Sequence, residues 1–267
     1  MIHIMLPVYN AAQTLPSVLD GIRQVEWSGD EPYTVVVVDD GSTDAAVSVC
    51  RSRWDSMPLE VSCHITNRGP GEALMTGLKH CLSRCDGEDV VISMSTDDQH
   101  SPGLMPLLVR RIRAGSDVAI ASRYAPGGRE LGLPAATRIL NRCTSAMLRA
   151  AFNIPGARDY TCGYRAYSAA ILERGFAAYP DDLISQKGWA CVTELLVKLA
   201  RLGARVSEAP LVVRYDRPAC GSQARPAGST GDYLRLMTTN RPKLPHEATL
   251  AHAGSLGGPR TGGDAEE

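Results

Sequence analysis

No stretch of roughly 18 or more uninterrupted apolar residues occurs in the chain, which excludes a membrane-spanning helix on sequence grounds. Net charge is nearly absent as well: 28 Lys and Arg stand against 29 Asp and Glu, a balance of −1. Wholesale nucleic-acid binding is therefore excluded, and any phosphate-binding arginines must be clustered locally. The eight cysteines, at 50, 63, 81, 85, 143, 162, 191 and 220, include no Cys-x-x-Cys pair and no Cys/His cluster of zinc-site spacing. They read as reduced thiols acting as small core hydrophobes. No basic segment with a cleavage site precedes the first apolar run, Ile2-His3-Ile4-Met5-Leu6, so the expected location is cytoplasmic. Nor does Gly-x-Gly-x-x-Gly follow that run, which argues against a dinucleotide-binding oxidoreductase. No internal repeat is present.

What is there is a 267-residue chain with 44% hydrophobic residues, ample for one large α/β domain and too apolar for a disordered protein. Strand-like runs alternate with helical periodicity. Ile2 to Leu6 is followed by Leu15, Val18, Leu19 and Ile22 at helical spacing; Thr34 to Val38 by a short helix reaching Trp54; Leu59 to Ile65 by a helix through Ala73, Leu78 and Leu82. A strand from Val90 precedes a helix through Leu104, Leu107, Leu108 and Ile112, and Asp117 to Ala121 is a fifth strand. Each strand run ends in a polar cluster. The pattern predicts an open, mostly parallel central sheet flanked by helices, with a site along one edge. Beyond Tyr124 the regularity breaks: 126–134 reads as a mobile loop, Ile139 to Phe152 as a helix with Arg138, Arg142 and Arg149, and a further helix lies around Ile171. Gly188 to Arg201 reads as a helix and Val206 to Tyr215 as a strand; 241–267 reads as a disordered tail.

Two strand ends carry paired carboxylates. The run from Val90 ends in Ser95-Thr96-Asp97-Asp98-Gln99. Two ionised Asp side chains there repel unless a cation sits between them, and oxygen ligands suit Mg²⁺ or Mn²⁺ with phosphates completing the shell. The same residues, ahead of Pro102, also make an ordinary helix start. The valine run 35–38 ends in Asp39-Asp40-Gly41-Ser42. A carboxylate at that point can accept a hydrogen bond from a base N–H or a ribose hydroxyl, with Gly41 allowing a tight turn beneath it, although a capped loop would show the same residues.

The ordered set Pro7 to Asn10, Asp39 to Asp44, Asn67 to Ala73, Thr96 to Pro102, Ser122-Arg123-Tyr124 and Gly163-Tyr164-Arg165 resembles the family 2 glycosyltransferases of GT-A fold. Within them it is similar to the polyprenyl-phosphate sugar transferases of the dolichol-phosphate mannose synthase type, over about residues 2 to 240. The resemblance implies a single domain over 1–240, with a nucleotide-binding half, 1–124, and an acceptor half, 125–240. It implies that Pro7, Tyr9, Asn10, Asp39, Asp40 and Gly71 surround the nucleotide, and that Asp97 and Asp98 hold the metal with Gln99 beside them. Arg123 and Arg138 match positions that meet the acceptor phosphate or the diphosphate. Asp159 and Arg165 match the acceptor side, Glu194 a carboxylate on the long helix, and Arg217 the late loop that closes over the donor. Three departures stand out: Ser95 replaces the first Asp of the usual Asp-x-Asp, Ala11 replaces an acidic residue, and Gln223 replaces a lysine.

The implied reaction is a metal-dependent, inverting transfer of a hexose-type sugar from a GDP- or UDP-sugar to a polyprenyl phosphate. A lipid phosphate is already an anion and needs positioning rather than a base. Arg123, Arg138, Arg142 and Arg165 offer planar donors suited to its oxygens, while Arg142 and Arg149 also fit a solvated helix face. A soluble hydroxyl acceptor, with Asp159 or Glu194 as base, is the nearer alternative. A non-catalytic nucleotide-sugar-binding subunit, suggested by Ser95 and Ala11, is the other. Membrane contact is expected to be peripheral, on the inner face.

Overall fold

The computed structural model describes residues 1–27, 31–52, 57–215 and 230–239. Its first half follows the alternation of the sequence. Strand β1 (Ile2–Val8) is followed by helix α1 (Leu15–Arg23), which buries Leu15, Val18, Leu19 and Ile22 on one face. Strand β2 (Tyr33–Asp39) leads to helix α2 (Ala46–Arg51), and strand β3 (Leu59–Cys63) to helix α3 (Pro70–Leu82). Strand β4 (Val90–Ser93), helix α4 (Met105–Arg113) and strand β5 (Val118–Ser122) complete this half. Strands β1, β2, β4 and β5 are buried almost throughout, as parallel strands covered on both faces must be.

The second half holds strand β6 (Arg129–Leu131), helix α5 (Ala135–Phe152), strand β7 (Arg165–Ser168), helix α6 (Ala169–Ala178) and helix α7 (Cys191–Arg201). Strands β8 (Val206–Pro210) and β9 (Val212–Arg214) and helix α8 (Thr230–Thr239) follow. One seven-stranded sheet takes strands from both halves in the order β3-β2-β1-β4-β7-β5-β8. Only β7 runs against its neighbours within it, with Ser93 opposite Arg165 and Ile120 opposite Arg165 on its other side.

Three sequence expectations are corrected here, and two elements are added. The 126–134 segment is not all loop, because β6 pairs in parallel with β9, Arg129 opposite Val212. The single strand expected over 206–215 is two: β8 stays in the main sheet as far as Pro210, which has no N–H to carry the ladder on, and the chain then crosses to β6. Strand β7 was not foreseen, since its four residues contain no apolar run. Helix α7 begins at Cys191 and not at Gly188, which leaves Trp189 in the turn before it. Helix α8, with Tyr233 and Leu236 buried, lies beyond the last element expected. Trp54 and the 241–267 tail fall outside the described residues.

Candidate active site

The carboxyl ends of β1, β2 and β4 open into a cleft whose walls include Pro7, Tyr9, Asn10, Asp40, Asn67, Pro70, Thr96, Asp97 and Trp189. This is the end of a parallel sheet at which ligands bind. The loop after β1 is fixed by Asn10, in the left-handed region at φ 50°, a conformation Asn tolerates better than most residues. Its backbone N–H donates to Ser42 Oγ at 2.9 Å, and its Oδ1 accepts from the Thr43 N–H at 2.8 Å. The loops after β1 and β2 are therefore tied together.

The two carboxylates after β2 have different work. Asp40 accepts from the backbone N–H of Arg68 at 2.9 Å and of Gly69 at 2.8 Å, and pairs with His64 Nδ1 at 2.7 Å. It builds the loop before α3. Asp39 is buried behind that wall; its Oδ2 accepts from the Ser42 N–H at 3.2 Å, while its Oδ1 has no partner among the described residues. A buried acceptor in that state is costly unless a donor meets it. Gly71 has a steric reason to be glycine. A Cβ there would lie 1.9 Å from Gln186 O, and its N–H donates to Lys187 O at 3.0 Å.

At the tip of β4, Asp97 lines the cleft, and its Oδ1 accepts from Ser95 Oγ at 2.9 Å and from the Gln99 N–H at 3.2 Å. Thr14 Oγ1 donates to Thr96 O at 2.6 Å, and Thr96 Oγ1 to Pro7 O at 3.2 Å, so the acidic turn is sewn to the first loop. Asp98 occupies the left-handed region at φ 57°, and neither it nor the buried Gln99 lines the cleft. The Gln99 carbonyl accepts from the Arg214 N–H of β9 at 3.2 Å. His100 pairs through Nδ1 with Ser95 Oγ at 3.1 Å and stacks on Tyr164. Desolvation holds its imidazole below the usual range, with Arg123 acting in the same sense and Asp97 and Asp159 opposing.

The basic residues divide similarly. Arg123 grips Asp159 through Nε and Nη2, each at 2.7 Å, also reaches Thr161 Oγ1, and lies 3.6 Å from Glu130. Burial pushes the Asp159 carboxyl up, but the charge and hydrogen bonds of Arg123 and the Cys162 N–H outweigh it, and the group stays below the usual carboxylate range. Arg138 donates from Nη2 to Leu133 O at 3.2 Å, with Nε buried and unpartnered. Arg142, Arg149 and Arg158 line a second hollow with Tyr124 and Ser145.

Two residues expected on the acceptor side are elsewhere. Arg165 has no exposed surface; its guanidinium donates to the carbonyls of Val192 and Tyr160, which locks β7 to α7 and keeps it from any ligand. Glu194 is buried, accepts from the N–H groups of Ser185 and Gln186 at 2.8 Å each, and pairs with Lys198 at 2.8 Å. It anchors the 185–187 segment that meets Gly71. Arg217 lies outside the described residues. Trp189, 41% exposed at the cleft, was missed because helical periodicity absorbed it. Among the described residues, one cluster mixes three ligand types, His3, Cys85 and Asp89. It sits at the opposite end of the sheet, where Asp89 already neutralises the N-terminal ammonium at 2.6 Å.

The sequence model described as glycosyl transferase family 2 matches residues 3–176. The chain is 32% identical over 208 residues to an undecaprenyl-phosphate mannosyltransferase of Micrococcus luteus, covering 78% of this chain and 81% of that protein. It is 28% identical over 212 residues to a polyprenol monophosphomannose synthase of Mycolicibacterium smegmatis, covering 78% and 75%. Among solved structures it is similar in fold to glucosyl-3-phosphoglycerate synthase from Mycobacterium tuberculosis in complex with Mn²⁺, UDP and glucosyl-3-phosphoglycerate. The TM-score is 0.58 at 21% identity, over 80% of this chain and 71% of that one.

Proposed function

The chain belongs to glycosyl transferase family 2, and from that premise we propose that it moves a hexose-type sugar from a GDP- or UDP-sugar to a polyprenyl phosphate. The observation that carries this reading is the cleft itself, where Asp97 forms part of the wall and the loops tied by Asn10 converge on it, with the half-satisfied Asp39 behind. In this reading Asp39 Oδ1 takes a donor from the base or ribose, Tyr9 and Pro7 flank the nucleotide, and Asp97 faces the diphosphate.

The residues fit Mg²⁺ or Mn²⁺. Both hydrogen bonds to Asp97 use Oδ1, so Oδ2 is available to a hard cation, which commonly binds one or two carboxylates and completes its shell with substrate phosphate and water. Such an ion, when bound, neutralises the charge that develops on the departing diphosphate. Asp98 shapes the turn from its left-handed position.

For the acceptor, the names of the relatives supply the lipid class, polyprenyl phosphate, and the arginine hollow supports it. Arg142, Arg149 and Arg158 offer planar donors to phosphate oxygens, and Arg138 keeps an unpartnered Nε close by in sequence. On the same helix Ile139 is 61% and Leu140 49% exposed. No helix among the described residues is long and apolar enough to cross a membrane. The reading is therefore peripheral contact, with α5 laying its apolar side chains at the bilayer surface and its arginines among the phosphates. Incubation with radiolabelled GDP- and UDP-sugars, divalent cation and polyprenyl phosphate should give label that extracts into organic solvent. Label remaining in water beside released nucleotide would shift the acceptor to a soluble hydroxyl compound. No product with any donor would overturn the proposal.

A further inference from the structure

Ser95 stands where the resembled pattern carries an aspartate, and its surroundings give it a definite task. Its hydroxyl has one proton, which it donates to Asp97 Oδ1 at 2.9 Å. The same oxygen lies 3.1 Å from His100 Nδ1. With the hydroxyl proton committed to the carboxylate, the second hydrogen bond exists only if Nδ1 carries the hydrogen and donates. That fixes the tautomer. The ring is held in turn: it stacks on Tyr164 at 5.5 Å between centroids and 27° between planes, and the buried Tyr164 donates its hydroxyl to Ser101 O at 3.1 Å.

An aspartate at 95 would put a second negative charge within hydrogen-bond reach of Asp97, and the two would repel until a cation arrived. Serine supplies a neutral donor instead. With the Gln99 N–H at 3.2 Å on the same oxygen, the carboxylate is pinned before any ligand binds. We propose that His100 and Ser95 form a hydrogen-bonded relay, Nδ1–H to Oγ and O–H to Asp97 Oδ1, that positions Asp97 in place of a second carboxylate. Both are positioning residues, and the proposal deepens the reading above because it rests on Asp97 being the carboxylate that meets the cation.

Two measurements test it separately. Nitrogen-15 NMR of the ring in the metal-free protein should show His100 protonated at Nδ1; a bare Nδ1 would overturn the relay whatever the metal does. Titration of Mn²⁺ in the presence of GDP or UDP, read by electron paramagnetic resonance, should show affinity about 10-fold weaker in Ser95→Ala, as for other supports of a ligating carboxylate. His100→Phe keeps a ring against Tyr164 but has no donor, and should lose as much. His100→Asn places an N–H where Nδ1 stood and should stay within about threefold of the parent, the contrast that a packing role does not produce. Parent-like affinity in both Ser95→Ala and His100→Phe would overturn the relay. Absence of Mn²⁺ binding by the parent protein would overturn the metal reading of Asp97 instead, and the proposal with it, even where Nδ1 proves protonated.

Discussion

Replacing Gly71 by alanine sets two effects of opposite sign against each other. In a helix, Gly→Ala ordinarily stabilises by about 0.5–1 kcal/mol, because alanine has less backbone entropy to lose. At the start of α3 the added Cβ would lie 1.9 Å from Gln186 O and 3.0 Å from Gln186 C. Either α3 or the 185–187 segment must therefore retreat by about 1 Å. The segment is held by the N–H groups of Ser185 and Gln186 on the buried Glu194, each at 2.8 Å; the loop before α3 is held by the Arg68 and Gly69 N–H groups on Asp40. A retreat on either side weakens two bonds to a carboxylate, each contributing about 1.5–3 kcal/mol. The clash wins by about 2–5 kcal/mol. For a chain of this size that lowers the melting temperature by roughly 5–15 °C. The same movement carries Pro70 and Trp189 away from the cleft, so the donor KM should rise. Gly103→Ala is the control: its nearest neighbour would be Ser101 Oγ at 3.5 Å, and the melting temperature should stay within a few degrees. A Gly71→Ala protein that melts at or above the parent temperature with unchanged donor KM would refute the reasoning.

On the reading that Asp97 holds the divalent cation, Asp97→Asn should lower kcat by about 10²- to 10³-fold with the circular dichroism spectrum unchanged, since it removes the anionic ligand of the ion that would neutralise the departing diphosphate; turnover of the labelled donor measures it. Asp159→Asn removes the carboxylate that Arg123 grips at 2.7 Å and leaves the buried guanidinium only the longer pair with Glu130 at 3.6 Å, so it should cost about 3 kcal/mol in urea denaturation at neutral pH, the low end for a broken buried pair. Because the folded carboxyl lies below its usual range, this contribution is fully present above about pH 3.9 and is lost as pH falls through the lower folded value. The two proteins should converge in stability in strong acid, and a gap that persists there would count against the ion pair. Arg142→Ala with Arg149→Ala should weaken sedimentation with anionic vesicles by about 1 kcal/mol per arginine, roughly fivefold each, and the difference should shrink at high salt.

The sequence made legible whatever rests on local pattern: the valine run of β2, the alternation of strand and helix as far as β5, and the polar clusters at strand ends that became the cleft. What it could not show was which charges face a ligand. Arginine at 123, 138 and 165 reads alike in one dimension, yet the fold gives each a different neighbour set. Arg165 sits on β7, a strand too short to announce itself, and is fully buried against two carbonyls, its unpartnered Nε sealed from any ligand. In Arg123, Nε and one edge of Nη2 are committed to Asp159 and the rest of Nη2 to Thr161. Its Nη1 meets Glu130 only at 3.6 Å, an ion-pair distance beyond a hydrogen bond. The guanidinium has five N–H donors; Nη1 is turned toward the buried Glu130, and the Tyr215 hydroxyl also bonds this side chain, so Arg123 is held by its neighbours on every side. The same division explains Asp40 and Glu194, whose oxygens are taken up by backbone N–H groups together with His64 in the one case and Ser185 and Lys198 in the other, and Asp39 and Asp97, which each keep one oxygen in reserve. Reading the carboxylates and arginines by their unspent hydrogen-bonding capacity separates the groups that build the cleft from those that can act in it, and that capacity is a property of the assembled loops rather than of any single motif.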